Sequence, residues 1–339
     1  MKKKKAYAAA GVDVDLGNKV KAGIQRAVRA TQGPEVLGKI GGFGGLFQPN
    51  LKGFKEPILV SSVDGVGTKL KIAFATGRHD TIGQDLVNHC INDIAVIGAK
   101  PLFFLDYLAA ERLEPEVFAD ILKGFSKACR AAGCAIVGGE TAQMPGMYRR
   151  GEYDLAGTIV GIVDKSKLLD GSRIRRGDVL VGLPSNGLHT NGYSLARNVL
   201  FEKAGFKIDS KIKGLGKPLG EELLRVHRNY QPILAALPQR QLLGAAHITG
   251  GGLIDNLPRI LPEGTAAHID AASWRVPTIF KLIAQKGKVD PLEMYQVFNM
   301  GIGMVLAVRP AHAEAICKAT TGRPIGRIVA GDKDVNLAL

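Results

Sequence analysis

Several things are scarce in this 339-residue chain, and each scarcity excludes a class of function. There are four cysteines, Cys90, Cys129, Cys134 and Cys317, with no CxxC pair among them. They read as reduced, small apolar residues of a cytoplasmic protein. No uninterrupted apolar run approaches the ~18–20 residues that a membrane-spanning helix needs. The basic start Met1-Lys2-Lys3-Lys4-Lys5 is followed only by Ala6–Ala10 before Gly11 and Asp13, too short for an apolar signal core. The expectation is neither a secretory signal nor a membrane anchor. There is no GxxxxGKS/T segment and no GxGxxG, which disfavours a P-loop NTPase and a Rossmann dehydrogenase. Aromatic residues make up 6% and do not interleave with the basic residues. The net charge of +14 therefore does not read as nucleic-acid binding: four of the charges are the Lys2–Lys5 run, and the rest are scattered. A basic groove for an anionic substrate accounts for the sign equally well.

What is present is a globular composition, 46% hydrophobic and 22% charged, with 43 glycines and 16 prolines. The length suits two domains, each with its own core. In the first half, strand 58–62 leads into a loop at Asp64, and a helix spans about 81–97. Strand 102–109, a helix from about 115 to 132 stopped by Gly133, and strands 135–137 and 155–163 follow. The second half reads as strand 178–183, helix 193–204, a long connection 206–220, helix 221–237, strand 246–248, a short helix 253–259 and strand 302–308. Alternating strand and helix periods predict an α+β or α/β fold. The boundary falls near 168, giving domains 1–168 and 169–339.

Asp64-Gly65-Val66-Gly67-Thr68-Lys69-Leu70 follows directly on the apolar run 57–63. A carboxylate, two glycines, a hydroxyl and an ammonium at a strand end are suited to a metal-bound polyphosphate. On the 81–97 helix, Ile82, Leu86, Cys90, Ile94 and Ile97 form a stripe at helical spacing. Asp93 lies within roughly 40° of Leu86 and Ile97 at ~100° per residue. A carboxylate there is costly unless it is paired or binds a metal; a buried ion pair, a capping interaction and a metal ligand all remain open. Glu140, just past an apolar strand, and Asp106, which interrupts Leu102–Leu105, complete an oxygen-only set. No His or Cys cluster is evident beside it, which suits Mg²⁺ over Zn²⁺.

Two glycine-rich segments offer backbone amides to an anion. Gly41-Gly42-Phe43-Gly44-Gly45 is either a wrap around phosphate or a mobile surface loop. Thr249-Gly250-Gly251-Gly252 precedes a short helix and is either a phosphate seat or an ordinary tight turn. His189, beside Thr190, Asn191 and Gly192, sits in a polar loop feeding a helix, where it is either exposed and inert or a functional group.

These motifs, together with Ala10–Asp13, Gly98–Tyr107, Gly138–Tyr148 and the segment Glu293–Met304, closely resemble the phosphoribosylformylglycinamidine cyclo-ligase (AIR synthetase) family. The match is ordered and covers nearly the whole chain. The resemblance implies an ATP-dependent C–N ligase of purine biosynthesis, converting formylglycinamidine ribonucleotide to aminoimidazole ribonucleotide with release of ADP and phosphate. It implies a cytoplasmic homodimer: an N-terminal ATP- and Mg²⁺-binding domain whose mixed sheet joins a barrel shared between subunits, and a C-terminal α/β sandwich domain that binds substrate. It implies Mg²⁺ on Asp64, Asp93 and Glu140, with K⁺ left open as a further cation. ATP contacts follow at Gly41, Gly42, Phe43, Gly44, Gly45, Asp64, Gly65, Thr68, Lys69, Asp106, Gly139, Glu140 and Thr141. Substrate contacts fall on His189, Thr190, Asn191, Gly192, Thr249, Gly250, Gly251 and Gly252, and the catalytic roles on His189 and Lys69. Three positions depart from the family pattern: Gln25 where Lys is usual, Gln143 where Glu is usual, and His227 within Val226–Tyr230, where the family has Pro-Thr-x-x-Tyr.

Overall fold

Glycines at two positions let the N-terminal sheet lie flush on its helices. Among the described residues the sheet has four strands, β1 (Pro57–Gly65), β2 (Lys100–Ala110), β3 (Ala135–Gln143) and β4 (Tyr153–Asp164), in the order β1-β4-β2-β3. A Cβ at Gly157 would meet the Phe104 ring at 2.2 Å, and one at Gly161 would meet Ile94 Cδ1 at 2.6 Å. The computed structural model that shows this describes residues 25–39 and 41–339; Lys2–Lys5 and the Ala10–Asp13 motif lie outside the described residues.

Strand β4 is antiparallel to both β1 and β2, and β2 is parallel to β3. Paired residues point to one face of a sheet, so the register sorts the side chains. Val60, Ile159 and Phe104 belong to the face covered by two helices, α2 (Ile82–Ala95) and α3 (Pro115–Ala131), which follow the shorter α1 (Leu70–Thr76). Ile82, Leu86, Cys90 and Ile94 are all buried, as their spacing predicts, whereas Ile97 at the end of the stripe is 37% exposed. The opposite face carries Leu59, Val63, Leu105 and Tyr107, of which Leu59 and Val63 are about two-thirds exposed.

After residues 165–178 the chain builds a second sheet of six strands, in the order β10-β7-β9-β5-β8-β6. These are β5 (Val179–Pro184), β6 (Leu242–His247), β7 (Thr265–Asp270), β8 (Ile302–Val308), β9 (Arg323–Ala330) and β10 (Val335–Ala338). Every residue of β8 is buried, which is why it reads as an unbroken apolar run. The sequence reading found neither β7, β9 and β10 nor the helices Thr278–Gly287, Pro291–Val297 and Pro310–Thr320. Strand β9 alternates weakly, and β7 has only three residues to a face, with Ala266 diluting the polar His268 and Asp270 on one of them.

Two predicted helices differ. The 193–204 helix is α-helical only over Tyr193–Arg197 and continues as a π-helix over Asn198–Lys203. The 221–237 helix is two short ones, Leu219–Leu223 and Gln231–Ala236, around an irregular stretch 224–230. Pro232 cannot sit inside a helix and starts the second one instead. The stretch between them takes its hydrogen bonds from α2: Asp85 Oδ1 accepts from the His227 amide, Asn92 Oδ1 from the Tyr230 amide, and the Asn88 and Asn92 side chains donate to the carbonyls of His227 and Arg228. Asp85, Asn88, His89, Asn92 and Asp93 form one face of α2, and that face joins the two domains. No helix among the described residues is long and apolar enough to cross a membrane.

Candidate functional site

A cleft of about 480 Å³ opens where the end of β1 and α2 meet the C-terminal domain. Asp64 and Ser62 reach it from β1, His89 and Asp93 from α2, and His247 from the end of β6. The far wall is Asn191, Thr249 and Gly250, with Asn256 and Arg259 beyond the turn. The turn is held shut from behind: Asn256 Nδ2 donates to the carbonyls of Gly250 and Gly252 at 3.2 and 2.7 Å. Gly252 has φ +56°, and a Cβ there would meet the Tyr295 carbonyl at 1.9 Å, so only glycine fits. The following helix, Gly252–Asn256, has five residues.

The two acids are each held by a histidine. His89 Nε2 lies 2.8 Å from Asp64 Oδ2, and His247 Nδ1 lies 2.8 Å from Asp93 Oδ1, which also places its Oδ2 3.1 Å from Ser62 Oγ. Burial opposes the charge of Asp93, but the His247 contact, the charge of His89 and the Ser62 bond outweigh it and hold the carboxyl below its ordinary value. Burial likewise works against charge on His89, and the hydrogen bond and charge of Asp64 raise it overall. His247 is pushed below its usual value by burial, with Asp93 pulling the other way. The expectation of an oxygen-only set with no histidine beside it is therefore corrected. His89 and His247 stand directly against the acids, and His89, Asp93 and His247 bring ligand atoms within 4.8 Å of one another. The sequence did carry one sign of this, since His89 and Asp93 are spaced i, i+4 on a helix.

Other anticipated residues are placed as follows. Lys69 is fully buried, its ammonium bonded to Asp85 at 2.9 Å and to the carbonyls of His189 and Arg225 at 3.0 and 2.7 Å. Thr68 Oγ1 meets Ser194 Oγ at 3.0 Å, and Asp64 Oδ1 accepts from the Gly65 amide. His189 is 1% exposed, adopts a left-handed backbone at φ 64°, and stacks on His227 with ring centroids 4.1 Å apart. Burial first, then the positive charges around it, lower its pKa well below the usual value, so it is neutral. Among the described residues its Nδ1 has no hydrogen-bond partner. Thr190 lies beside it, bonded to His89 Nδ1 at 2.7 Å, and Gly192 caps the helix Tyr193–Arg197.

Glu140 is separated from Asp64 and Asp93 within one chain. Asp64, Gly157, Asp106 and Gly139 stand opposite one another across the four strands and share the helix-covered face. Glu140 pairs with Tyr107 and belongs to the other face, three strand spacings or ~14 Å away. The segment 41–45 lies by Val137 of β3, with Phe43 fully exposed. Thr141 is next to Glu140, whose Oε1 accepts from the Thr141 amide. Desolvation, with a smaller push from Glu140, takes Asp106 up to about 7. One chain thus gathers Asp64, Asp93, Asn191, Thr249 and Gly250 and leaves the β2–β3 group elsewhere.

The AIR synthase related protein families match this chain, the N-terminal domain over residues 54–163 and the C-terminal domain over residues 175–336. A phosphoribosylformylglycinamidine cyclo-ligase from Syntrophotalea carbinolica is 53% identical over 331 residues, covering 97% of this chain and 95% of that protein. One from Geobacillus kaustophilus is 51% identical over 333 residues, covering 96% of each. Among solved structures, thiamine-monophosphate kinase from Stenotrophomonas maltophilia superposes with a TM-score of 0.67 at 19% identity, over 96% of each chain. A hydrogenase maturation protein HypE in complex with ATP gives 0.69 at 17% identity, over 97% of this chain and 93% of that one. At such identities the structural likeness establishes the shared fold.

Proposed function

We infer that the cleft serves the reaction of the phosphoribosylformylglycinamidine cyclo-ligases, the family to which this chain belongs: ATP and formylglycinamidine ribonucleotide give aminoimidazole ribonucleotide, ADP and phosphate. The observation that carries the placement is the convergence of Asp64 and Asp93 with the Thr249–Gly250 turn and Arg259 on one cleft. A formyl oxygen is a poor leaving group. Its phosphorylation turns it into a good one, the ring nitrogen attacks the activated carbon, and phosphate departs. Such a transfer needs positioning and neutralisation of charge more than covalent chemistry from the protein.

The donor set fits Mg²⁺, since two carboxylates from different elements reach one wall of the cleft. Bound there, Mg²⁺ supplies positive charge to the transferring phosphoryl group. Asn191 and the amides of the Thr249–Gly252 turn orient the ribonucleotide, and Arg259 offers its guanidinium to the ribonucleotide phosphate. His189, neutral and buried one residue from Thr190 with its Nδ1 unpartnered among the described residues, is the group that takes or returns a proton. Lys69 holds the His189 carbonyl and so positions the loop that carries it.

The uncovered apolar sheet face supports a homodimer in which a second copy packs on β1 and β2 and the Glu140 side comes to the subunit boundary. Light scattering at micromolar concentration is expected to give twice the 36.1 kDa chain mass. A fully active monomer would exclude the arrangement.

Asp93→Asn tests the placement of the cation. It keeps shape and removes one charge, and ATP turnover is expected to fall by at least ~10²-fold, with excess Mg²⁺ restoring only part. Folding stability should change little, because the side chain is about a quarter exposed (26%) and the amide still reaches Ser62. An unstable variant with undiminished turnover would show that Asp93 is a structural partner of His247 and nothing more.

A further inference from the structure

A second cleft, also of about 480 Å³, lies at the domain junction and shares no residue with the one that holds Asp64 and Asp93. The N-terminal domain contributes Lys71 and Phe74 from α1, and Arg149 and Glu152 from the connection between β3 and β4. The C-terminal domain contributes Arg197 and Phe201. None of the exposed apolar residues of β1 and β2 lines this cleft, so it is distinct from the sheet face read as a dimer contact.

One wall is already ordered. Lys71 Nζ bonds Glu152 Oε2 at 2.7 Å and stands 5.8 Å from the centre of the Phe74 ring. That ring packs edge-on against Tyr153 with centroids 4.9 Å apart. Lys71 and Glu152 cancel each other's charge. Arg149 and Arg197 are different: among the described residues neither guanidinium has a hydrogen bond or an ion pair, although Arg197 is only partly exposed. A half-buried guanidinium without an acceptor is costly unless an anion comes to it. Phe201, the second ring, lies on the π-helical stretch Asn198–Lys203 that begins directly after Arg197. Short π-turns of this kind recur at functional sites.

We propose that this cleft binds a nucleoside 5′-monophosphate, at a site separate from that for ATP and the ribonucleotide substrate. The two unpaired arginines match a phosphate monoester, which carries about −1.5 to −2 at neutral pH, and the guanidinium fork suits its oxygens pairwise. Phe74 and Phe201 offer rings from both domains to a flat base. Glu152 keeps acceptor capacity for a sugar hydroxyl or a base N–H. The volume falls within the ~300–1,000 Å³ of small-molecule sites. Inorganic phosphate would leave both rings unused, and a free nucleoside would leave both arginines unpaired. Both walls also run towards the loop that carries His189. Lys69, two residues before Lys71, donates to the His189 carbonyl at 3.0 Å, and Ser194, one turn before Arg197, meets Thr68 Oγ1 at 3.0 Å. A ligand bridging Arg149 and Arg197 ties the two domains together beside that loop.

The test is a calorimetric titration of the full chain with AMP and with GMP, without ATP or substrate. Saturable binding of at least one of them is expected, at one site per chain and at least ~10-fold tighter than inorganic phosphate or the matching nucleoside. Arg149→Gln and Arg197→Gln, checked for folding by circular dichroism, should each weaken it by ~10–100-fold, as for loss of a hydrogen bond to a charged group. Arg149 is exposed, so its variant decides the matter even where Arg197→Gln does not fold. The absence of saturable binding by either nucleotide would overturn the proposal, as would inorganic phosphate or the nucleoside binding equally tightly. Undiminished binding in either folded glutamine variant would also overturn it, since the nucleotide would then occupy the cleft of Asp64 and Asp93. Binding is read without turnover, so its outcome is independent of the cyclo-ligase reaction.

Discussion

Lys69→Met is expected to destabilise the protein by about 3–5 kcal/mol, the usual cost of removing one partner from a buried ion pair. Lys69 and Asp85 are both fully buried and 2.9 Å apart. Burial lowers the Lys69 pKa and raises that of Asp85, and their contact works against both shifts. Without the ammonium, Asp85 keeps only the His227 amide, and the carbonyls of His189 and Arg225 lose their donor. Those carbonyls belong to the C-terminal domain, so the loss falls on the domain junction. The double variant Lys69→Met/Asp85→Leu should recover part of the loss, because no charge is then stranded. Denaturant midpoints measure this, and calorimetric titration with ATP supplies the contrast. A variant of normal stability that no longer binds ATP would return Lys69 to the role of nucleotide ligand that its place after Gly67-Thr68 first implies.

His189→Ala is expected to lower kcat by ~10²–10⁴-fold, the contribution of a general acid or base, while the Kd for ATP stays near the wild-type value. The geometry behind this is specific. The imidazole is buried and neutral, with an Nδ1 unpartnered among the described residues, on a left-handed backbone that is uncommon for any residue with a Cβ. It stands one residue from Thr190 and two from Asn191, which reaches the cleft. Single-turnover measurements on the variant would separate the proton step from binding. Near-normal turnover would reduce His189 to a ring that packs on His227 and shapes the loop.

Much of the N-terminal half was legible because its signals are local. The stripe Ile82, Leu86, Cys90 and Ile94 is a property of helical spacing, and it exposed Asp93 as a carboxylate needing a partner. Asp64 was legible because it ends an apolar strand, and Thr249–Gly252 because successive glycines there replace regular structure. Pro232 was also legible as a helix start, and the 221–237 reading passed over it. The partners of these residues were not legible. Asp93 meets His247 across 154 residues, and Lys69 meets the Arg225 carbonyl across 156. No periodicity reports on such a pairing. The irregular stretch 224–230 exists because Asp85, Asn88 and Asn92 satisfy its backbone from another domain.

Acids at strand and helix ends, glycine turns suited to phosphate, and a chain of mixed α and β periods are all local properties, readable along the residues. Which of them meet is a matter of how strands order and domains pack. Strand order put Asp64 and Glu140 at opposite edges and on opposite faces of one sheet, because paired strands lie ~4.8 Å apart and side chains alternate between the faces. Packing of α2 against the C-terminal domain put two histidines beside the acids, because its polar face is where that domain's backbone finds its hydrogen bonds.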